Sequence, residues 1–270
     1  MSSAFGGKLQ LIATASSSVA REIRVRVAAL IQTGIISMKV GILQCDHVPS
    51  QLRARHGDYD TFFMDLLSDE QLEFITFPVV DGVFPNSTSD ADGWLITGGA
   101  FSASDPHEWI ARLKEFVRSV YQQQQPLIGV CLGHQIIAEA LGGRVERSSA
   151  GFTAGPVEYM RHDFDTQHTA LTWHEEEVTV LPKEAEVVGA SDRCSFAILR
   201  YGNTVLSYQG HPEIKPAFLL DLLEVHGDIL PDAMQANVLR SPDVPSSTNA
   251  FATEMKALFL QNKALEQARS

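Results

Sequence analysis

The chain has 270 residues, 44% of them hydrophobic and 20% charged, proportions that describe an ordinary globular protein with room for one large domain or two small ones. Its formal charge of −12 argues against a nucleic-acid partner, because phosphate binding needs clustered Lys and Arg. No apolar run approaches the roughly 20 residues needed to span a bilayer, so no membrane partner is expected. The three cysteines, Cys45, Cys131 and Cys194, are odd in number and not closely paired, which suits a reducing, cytoplasmic compartment better than a disulfide scaffold.

Residues 1–37 set Lys8, Arg21, Arg24 and Arg26 against one acid, Glu22, and are rich in Ser and Ala. They read as an N-terminal extension: either an organelle-targeting segment or a start-site artefact, with Met38 as the true initiator. Lys39 to Gln44 is a short apolar run with β-branched Val40 and Ile42, as in a buried parallel strand. Asp60 to Leu67 has helical spacing through Phe62, Phe63, Leu66 and Leu67. Phe74 to Val80 predicts a second strand and Gly93 to Thr97 a third, ending at Gly98-Gly99. Pro106 to Tyr121 is an amphipathic helix, with Pro106 suited to its first turn and Ile110, Leu113, Phe116, Val117 and Val120 at helical intervals. Leu127 to Val130 predicts a fourth strand. Gly133 to Leu141 predicts the next helix, stopped by Gly142-Gly143.

From Arg144 to Gly210 the signals turn strand-like and less regular. Helical patterns return over Ala217 to Val225, Asp232 to Val238 and Ala250 to Leu265, with a loop at Ser241 to Ser247. The alternation predicts an α/β fold, a mostly parallel sheet with helices on both faces. One domain over residues 38–228 and a helical C-terminal extension over 229–270 are expected, without internal repeats. In the extension, Leu258 and Phe259 could cap the sheet or form a homodimer contact. Ligands of such sheets bind beyond the carboxyl ends of the strands, where Gly98-Gly99 and Cys131 fall.

The strongest local signal is Gly129-Val130-Cys131-Leu132-Gly133-His134-Gln135. A strand delivers Cys131 into a tight turn and a helix starts directly after it. The flanking glycines let the backbone bend and leave the thiol uncrowded, the mechanics of a nucleophile elbow. The helix N-terminus favours a thiolate there, and the amide of Leu132 is placed to donate to an oxyanion. By itself the motif fits a small buried cysteine about as well as a nucleophile. The balance changes at Tyr208-Gln209-Gly210-His211-Pro212-Glu213, which follows the apolar run Thr204 to Ser207. Proline holds its predecessor extended, and side chains two apart in extended chain share a face. Glu213 can therefore orient and charge His211, which acts as the base for Cys131. A Ser-type α/β-hydrolase order is excluded, since there the acid precedes the histidine. No metal is expected: there is no His-Glu-x-x-His and no paired Cys-x-x-Cys, and Cys45-Asp46-His47 is too short to define a site.

Gly-Val-Cys-Leu-Gly-His-Gln at 129–135 together with Gly-His-Pro-Glu at 210–213 resembles the class I, triad-type glutamine amidotransferases, over a stretch from about Met38 to Glu213. The resemblance implies a flavodoxin-like α/β domain, a γ-glutamyl thioester intermediate, a catalytic triad of Cys131, His211 and Glu213, and no cofactor. It implies that Gly98-Gly99 is the glycine-rich oxyanion loop, the amide of Gly99 joining that of Leu132. Gln135 matches a position contacting the bound glutamine. Trp173 to Val178, with His174, is similar to the segment that receives the substrate's amino-acid end in GMP synthetase amidotransferase domains; His174 by itself reads as a surface or structural histidine. Trp94 to Gly99 and Ala150-Gly151-Phe152 also resemble stand-alone members, including plant γ-glutamyl peptidases. The expected partner is thus a small γ-glutamyl substrate, hydrolysed by a free-standing enzyme. The alternatives are an ammonia-supplying subunit for a separate synthase and a catalytically silent binding module.

Overall fold

Residues 37–163 and 165–269 are described in a computed structural model. The N-terminal extension, apart from Ser37, lies outside the described residues. In chain order the elements are β1 (Met38–Gln44), α1 (Ser50–His56), α2 (Tyr59–Leu66), β2 (Leu72–Pro78), β3 (Gly93–Ile96), α3 (Glu108–Gln122), β4 (Leu127–Val130) and α4 (Leu132–Ala140). Then come β5 (Arg144–Arg147), β6 (Thr153–Arg161), β7 (Thr166–His174), β8 (Glu176–Val180), β9 (Ala185–Ser191), β10 (Cys194–Tyr201) and β11 (Val205–Tyr208). The chain closes with α5 (Pro216–His226), α6 (Asp232–Leu239) and α7 (Thr248–Arg269).

Nine strands form one sheet in the order β2-β1-β3-β4-β11-β10-β9-β6-β7, and β5 pairs with β8 separately. The pairings from β2 to β11 are parallel. Beyond β11 they are antiparallel, because short turns such as Asp192-Arg193 and Gly202-Asn203-Thr204 leave no room for a crossover helix. The irregular strand-like stretch after Arg144 is thus an antiparallel wing on a parallel, doubly covered half.

Period-two alternation in the parallel strands sorts the core into two layers. Val40, Ile42, Leu95, Ile128 and Val130 pack with Phe63 of α2 and with Phe251, Met255, Leu258 and Phe259 of α7. Leu43, Trp94, Ile96 and Leu127 pack on the other face with Leu113 and Val117 of α3 and Ile136 and Ile137 of α4. Leu258 and Phe259 are therefore caps of the sheet, 4% and 0% exposed. The last helix is also tied by charge. Arg161, at the end of β6, is wholly buried and donates to both carboxylate oxygens of Glu254 at 2.7 Å and to Asp163 at 2.8 and 3.0 Å. Arg200 donates to the same Asp163, and the Tyr208 hydroxyl to Glu254, each at 2.8 Å.

Several local features differ from the sequence expectation. Helix α3 starts at Glu108 behind His107 as its N-cap, so Pro106 precedes the helix instead of sitting in its first turn. The second strand stops at Pro78 instead of Val80, because residues 79–81 turn into a 3-10 helix closed by a left-handed Gly82. A short helix, α1, follows Pro49 without any side-chain cap. Inside the expected loop, Ser241–Asp243 makes a 3-10 turn. Among the described residues, no helix is long and apolar enough to cross a membrane.

Candidate active site

The parallel strands β1, β3, β4 and β11 end on one rim, and the residues just past them carry the reactive groups. Past β4, Cys131 has φ 51° and ψ −106°, a backbone conformation rare for a residue with a side chain. Its N–H still donates to Tyr208 O at 2.8 Å, so the turn is pinned to β11 while the side chain swings off the strand. Two residues on, Gly133 lies so close to the Ile96 carbonyl that a Cβ would not fit, which lets α4 start directly beneath β3. The first-turn N–H groups of α4, Leu132 included, have no intrahelical acceptor and face the rim with the positive end of the helix dipole.

His211 comes from past β11. The strand ends at Tyr208, and His211 makes a single antiparallel bridge to Leu171 of β7, its N–H donating to Leu171 O at 2.7 Å. Pro212 keeps this segment extended. The side chains of His211 and Glu213 then meet: Nδ1 donates to Oε1 of Glu213 at 2.7 Å. The Cys131 side chain neighbours the imidazole, since the Cβ that Gly98 lacks would touch both His211 Cε1 and Cys131 Cβ. Burial by itself would lower the His211 pKa, but the charges of Glu213 and Cys131, with the hydrogen bond to Glu213, hold it well above the ordinary histidine value. Cys131 and His211 are buried but not sealed, each keeping 6% exposure.

Gly98, past β3, lies against this pair: a Cβ there would stand 2.9 Å from Cε1 of His211 and 3.5 Å from Cβ of Cys131. Gly99 sits between Asp46 and Leu132, and among the described residues nothing accepts from its N–H. Gln135 turns its amide inward, donating to Glu176 O at 2.9 Å and to Oε1 of Gln209 at 3.2 Å. His174 donates from Nδ1 to the same Glu176 carbonyl at 3.0 Å. Burial, opposed by that hydrogen bond and aided by the nearby charge of His211, pushes His174 down to about 4, so it is neutral with Nε2 free to accept. All eight residues singled out in the sequence therefore line or adjoin one rim.

The sequence reading gave no role to Gln209. With its Oε1 occupied by Gln135, its Nε2 faces the sulfur of Cys131 at 3.8 Å. The signal was available, since Gln209 stands two residues before His211 and so on the same face of extended chain. Asp46 and Thr97 were also passed over. Asp46 accepts from the N–H of Ala100 at 2.8 Å and of His47 at 2.7 Å, and is part of no metal cluster: among the described residues, no group of three His, Cys, Asp or Glu side chains is arranged to hold an ion.

The sequence and the sheet are matched by known proteins. The model of the glutamine amidotransferase class-I family fits residues 69–218, and the chain belongs to that family. It is 27% identical to gamma-glutamyl peptidase 5 of Arabidopsis thaliana over 187 residues, 64% of this chain and 74% of the relative. It is 30% identical to a subunit of the glutamine-hydrolyzing GMP synthase of Halobacterium salinarum over 169 residues, 59% of this chain and 85% of that one. In structure it resembles a glutamine amido transferase from Methylobacillus flagellatus with a TM-score of 0.65 at 20% identity, covering 85% of this chain and 94% of that one. The shared fold is the flavodoxin-like α/β arrangement.

Proposed function

We propose that this chain is a free-standing hydrolase of γ-glutamyl amides, with Cys131 as nucleophile, His211 as acid and base, and Glu213 as orienter. The observation that carries the reading is the hydrogen-bonded imidazole–carboxylate pair of His211 and Glu213 set beside Cys131 at the strained end of β4. His211 takes the thiol proton, and the thiolate attacks the γ-carbonyl carbon. The N–H groups of Gly99 and Leu132 hold the resulting oxyanion, each contributing about 3 kcal/mol in sites of this kind. As the tetrahedral intermediate collapses, the C–N bond breaks and His211 protonates the departing amine. Water, deprotonated by His211, then attacks the thioester, releasing glutamate and restoring the thiol. Neutral His174, the carbonyl of Glu176 and Gln135 are suited to the amino-acid end of the γ-glutamyl group, and Gly98 leaves the room that group needs beside Cys131 and His211.

Resemblance to a gamma-glutamyl peptidase favours peptides or conjugates as substrates. The three free cysteines, all buried, agree with a reducing, cytoplasmic setting. One observation favours a second reading, in which the chain supplies ammonia to a separate synthase: the likeness to a GMP synthase subunit. A panel of glutamine and γ-glutamyl dipeptides, read by ammonia and by amino-acid release, tests both. Release of amino acids from dipeptides by the chain alone supports the hydrolase; ammonia from glutamine only after another protein is added supports the ammonia supplier. Turnover undiminished in Cys131→Ala would end both readings, whereas no turnover of any panel member by wild type would leave a catalytically silent module.

A further inference from the structure

We propose that Thr97 and Asp46 are positioning residues that lock the Gly98-Gly99 peptide with its N–H toward Cys131, so that the oxyanion hole is already assembled in the isolated chain. This rests on the reading above, in which the Gly99 amide is an oxyanion donor. In a trans peptide the C=O and N–H of one plane point in opposite directions, so fixing one fixes the other. The carbonyl of Gly98 is held: Oγ1 of Thr97 donates to it at 2.9 Å. The direction of that bond is forced, because the N–H of Cys45 donates to the same Oγ1 at 2.9 Å and a hydroxyl has one proton to give. Thr97 is wholly buried, and its own N–H is tied to Leu43 O of β1 at 3.2 Å. On the far side of the peptide, the carboxylate of Asp46 accepts from Ala100 N–H at 2.8 Å.

The two glycines have no Cβ to resist rotation of the plane between them, so without these anchors the peptide is free to flip. A flip would break the Thr97 bond, strand a buried hydroxyl proton and put a carbonyl where the oxyanion must form. Thr97 and Asp46 stand at the two ends of the swinging unit, and both are carried by the ends of strands in the parallel half. The segment Cys45-Asp46-His47 thus acts as the wall against which the oxyanion loop is built. No contact with another protein is needed for that orientation.

The test uses the full chain and whichever member of the substrate panel it turns over. Thr97→Val keeps the shape and removes the hydroxyl; it is expected to lose ~10- to 100-fold in kcat, part of the ~100-fold or more that removal of an oxyanion donor costs, with KM changed less than ~3-fold. Alkylation of Cys131 by iodoacetamide, which needs no oxyanion hole, should proceed at the wild-type rate, and Thr97→Ser should recover most of the loss. Wild-type kcat in folded Thr97→Val, a loss mirrored in alkylation, or no recovery in Thr97→Ser overturns the proposal. Should Thr97→Val fail to fold, Asp46→Asn, with one acceptor oxygen in place of two, carries the same expectation, and full kcat there overturns it. Turnover by wild type only after a partner is added also overturns the preassembled hole while leaving Cys131 as nucleophile. Turnover retained in Cys131→Ala removes the underlying reading and the lock together.

Discussion

Nδ1 of His211 lies 2.7 Å from Oε1 of Glu213, while Oε2 of that carboxylate is buried without a hydrogen-bond partner among the described residues. Among the described residues no other side chain or N–H donates to Glu213, so its charge acts on the imidazole undiluted. Glu213→Gln keeps the shape and removes that charge. A drop of about 10²- to 10⁴-fold in kcat is expected, as for the corresponding change of an orienting carboxylate elsewhere. The pH profile should change as well. In wild type, burial lowers the His211 pKa, and Glu213 and Cys131 more than reverse it. In Glu213→Gln burial meets weaker opposition, so the imidazolium that protonates the leaving amine is lost at lower pH. The alkaline limb of kcat against pH should move toward acid; an unmoved limb would contradict the assignment.

The positive φ of Cys131 stores strain in the folded chain. Residues in such regions cost about 1–3 kcal/mol, which glycine escapes at the expense of about 0.5–1 kcal/mol of extra unfolded-state freedom. Cys131→Gly should therefore be more stable than Cys131→Ala by about 1 kcal/mol in urea denaturation, although both are inactive. Equal stability would mean that the turn relaxes once the thiol is gone.

Gly98→Ala would place a methyl 2.9 Å from Cε1 of His211, too close to be accommodated without moving the ring. The site is at the rim, so the cost should fall on catalysis more than on the fold. A loss of about 10- to 100-fold in kcat/KM with a melting temperature near wild type is expected, in line with what an ångström of misplacement costs a reacting pair. Normal kcat/KM in this variant would show that the imidazole has freedom to withdraw.

Breaking the buried charge cluster should destabilise the whole chain. Glu254→Ala takes from buried Arg161 the carboxylate that accepts from both Nη1 and Nη2, a change expected to cost about 3–5 kcal/mol, measured by urea titration. The cluster also predicts acid sensitivity. Burial would raise the Asp163 pKa, but hydrogen bonds and charge from Arg161 and Arg200 carry it below the ordinary carboxylate value. A carboxyl depressed on folding contributes stability that is complete above about pH 4 and is lost as pH falls through the depressed value. Asp163→Asn should lower stability at neutral pH and flatten its fall below pH 4.

The reactive rim was legible because its parts are encoded in short stretches: a strand, a glycine-flanked cysteine and a helix in one place, an extended His-Pro-Glu in the other. Periodicity also located β1, β3, β4 and most helices, since each buries a face whose spacing is local. What escaped depends on partners far along the chain. Arg161 looks like any surface arginine until Glu254 and Tyr208 arrive. The wing β10-β9-β6-β7 has the periodicity of strands, but its order is set by pairings between distant segments. Helix α1 is too short to show a face. Thr97 and Gln209 are ordinary polar residues whose roles come from what the fold places opposite their single proton or amide.

The position of β1 bears on how this protein can be taken apart. That strand lies between β2 and β3 in the sheet, and α7 roofs the same layer, yet both fall outside residues 69–218, where the family's pattern is recognised. A recombinant fragment trimmed to the recognised span would lack an interior stave and the lid nailed over it, exposing two raw edges where strands had been joined. The portable unit is therefore larger than its signature, and any transplant or fusion has to carry the flanks along.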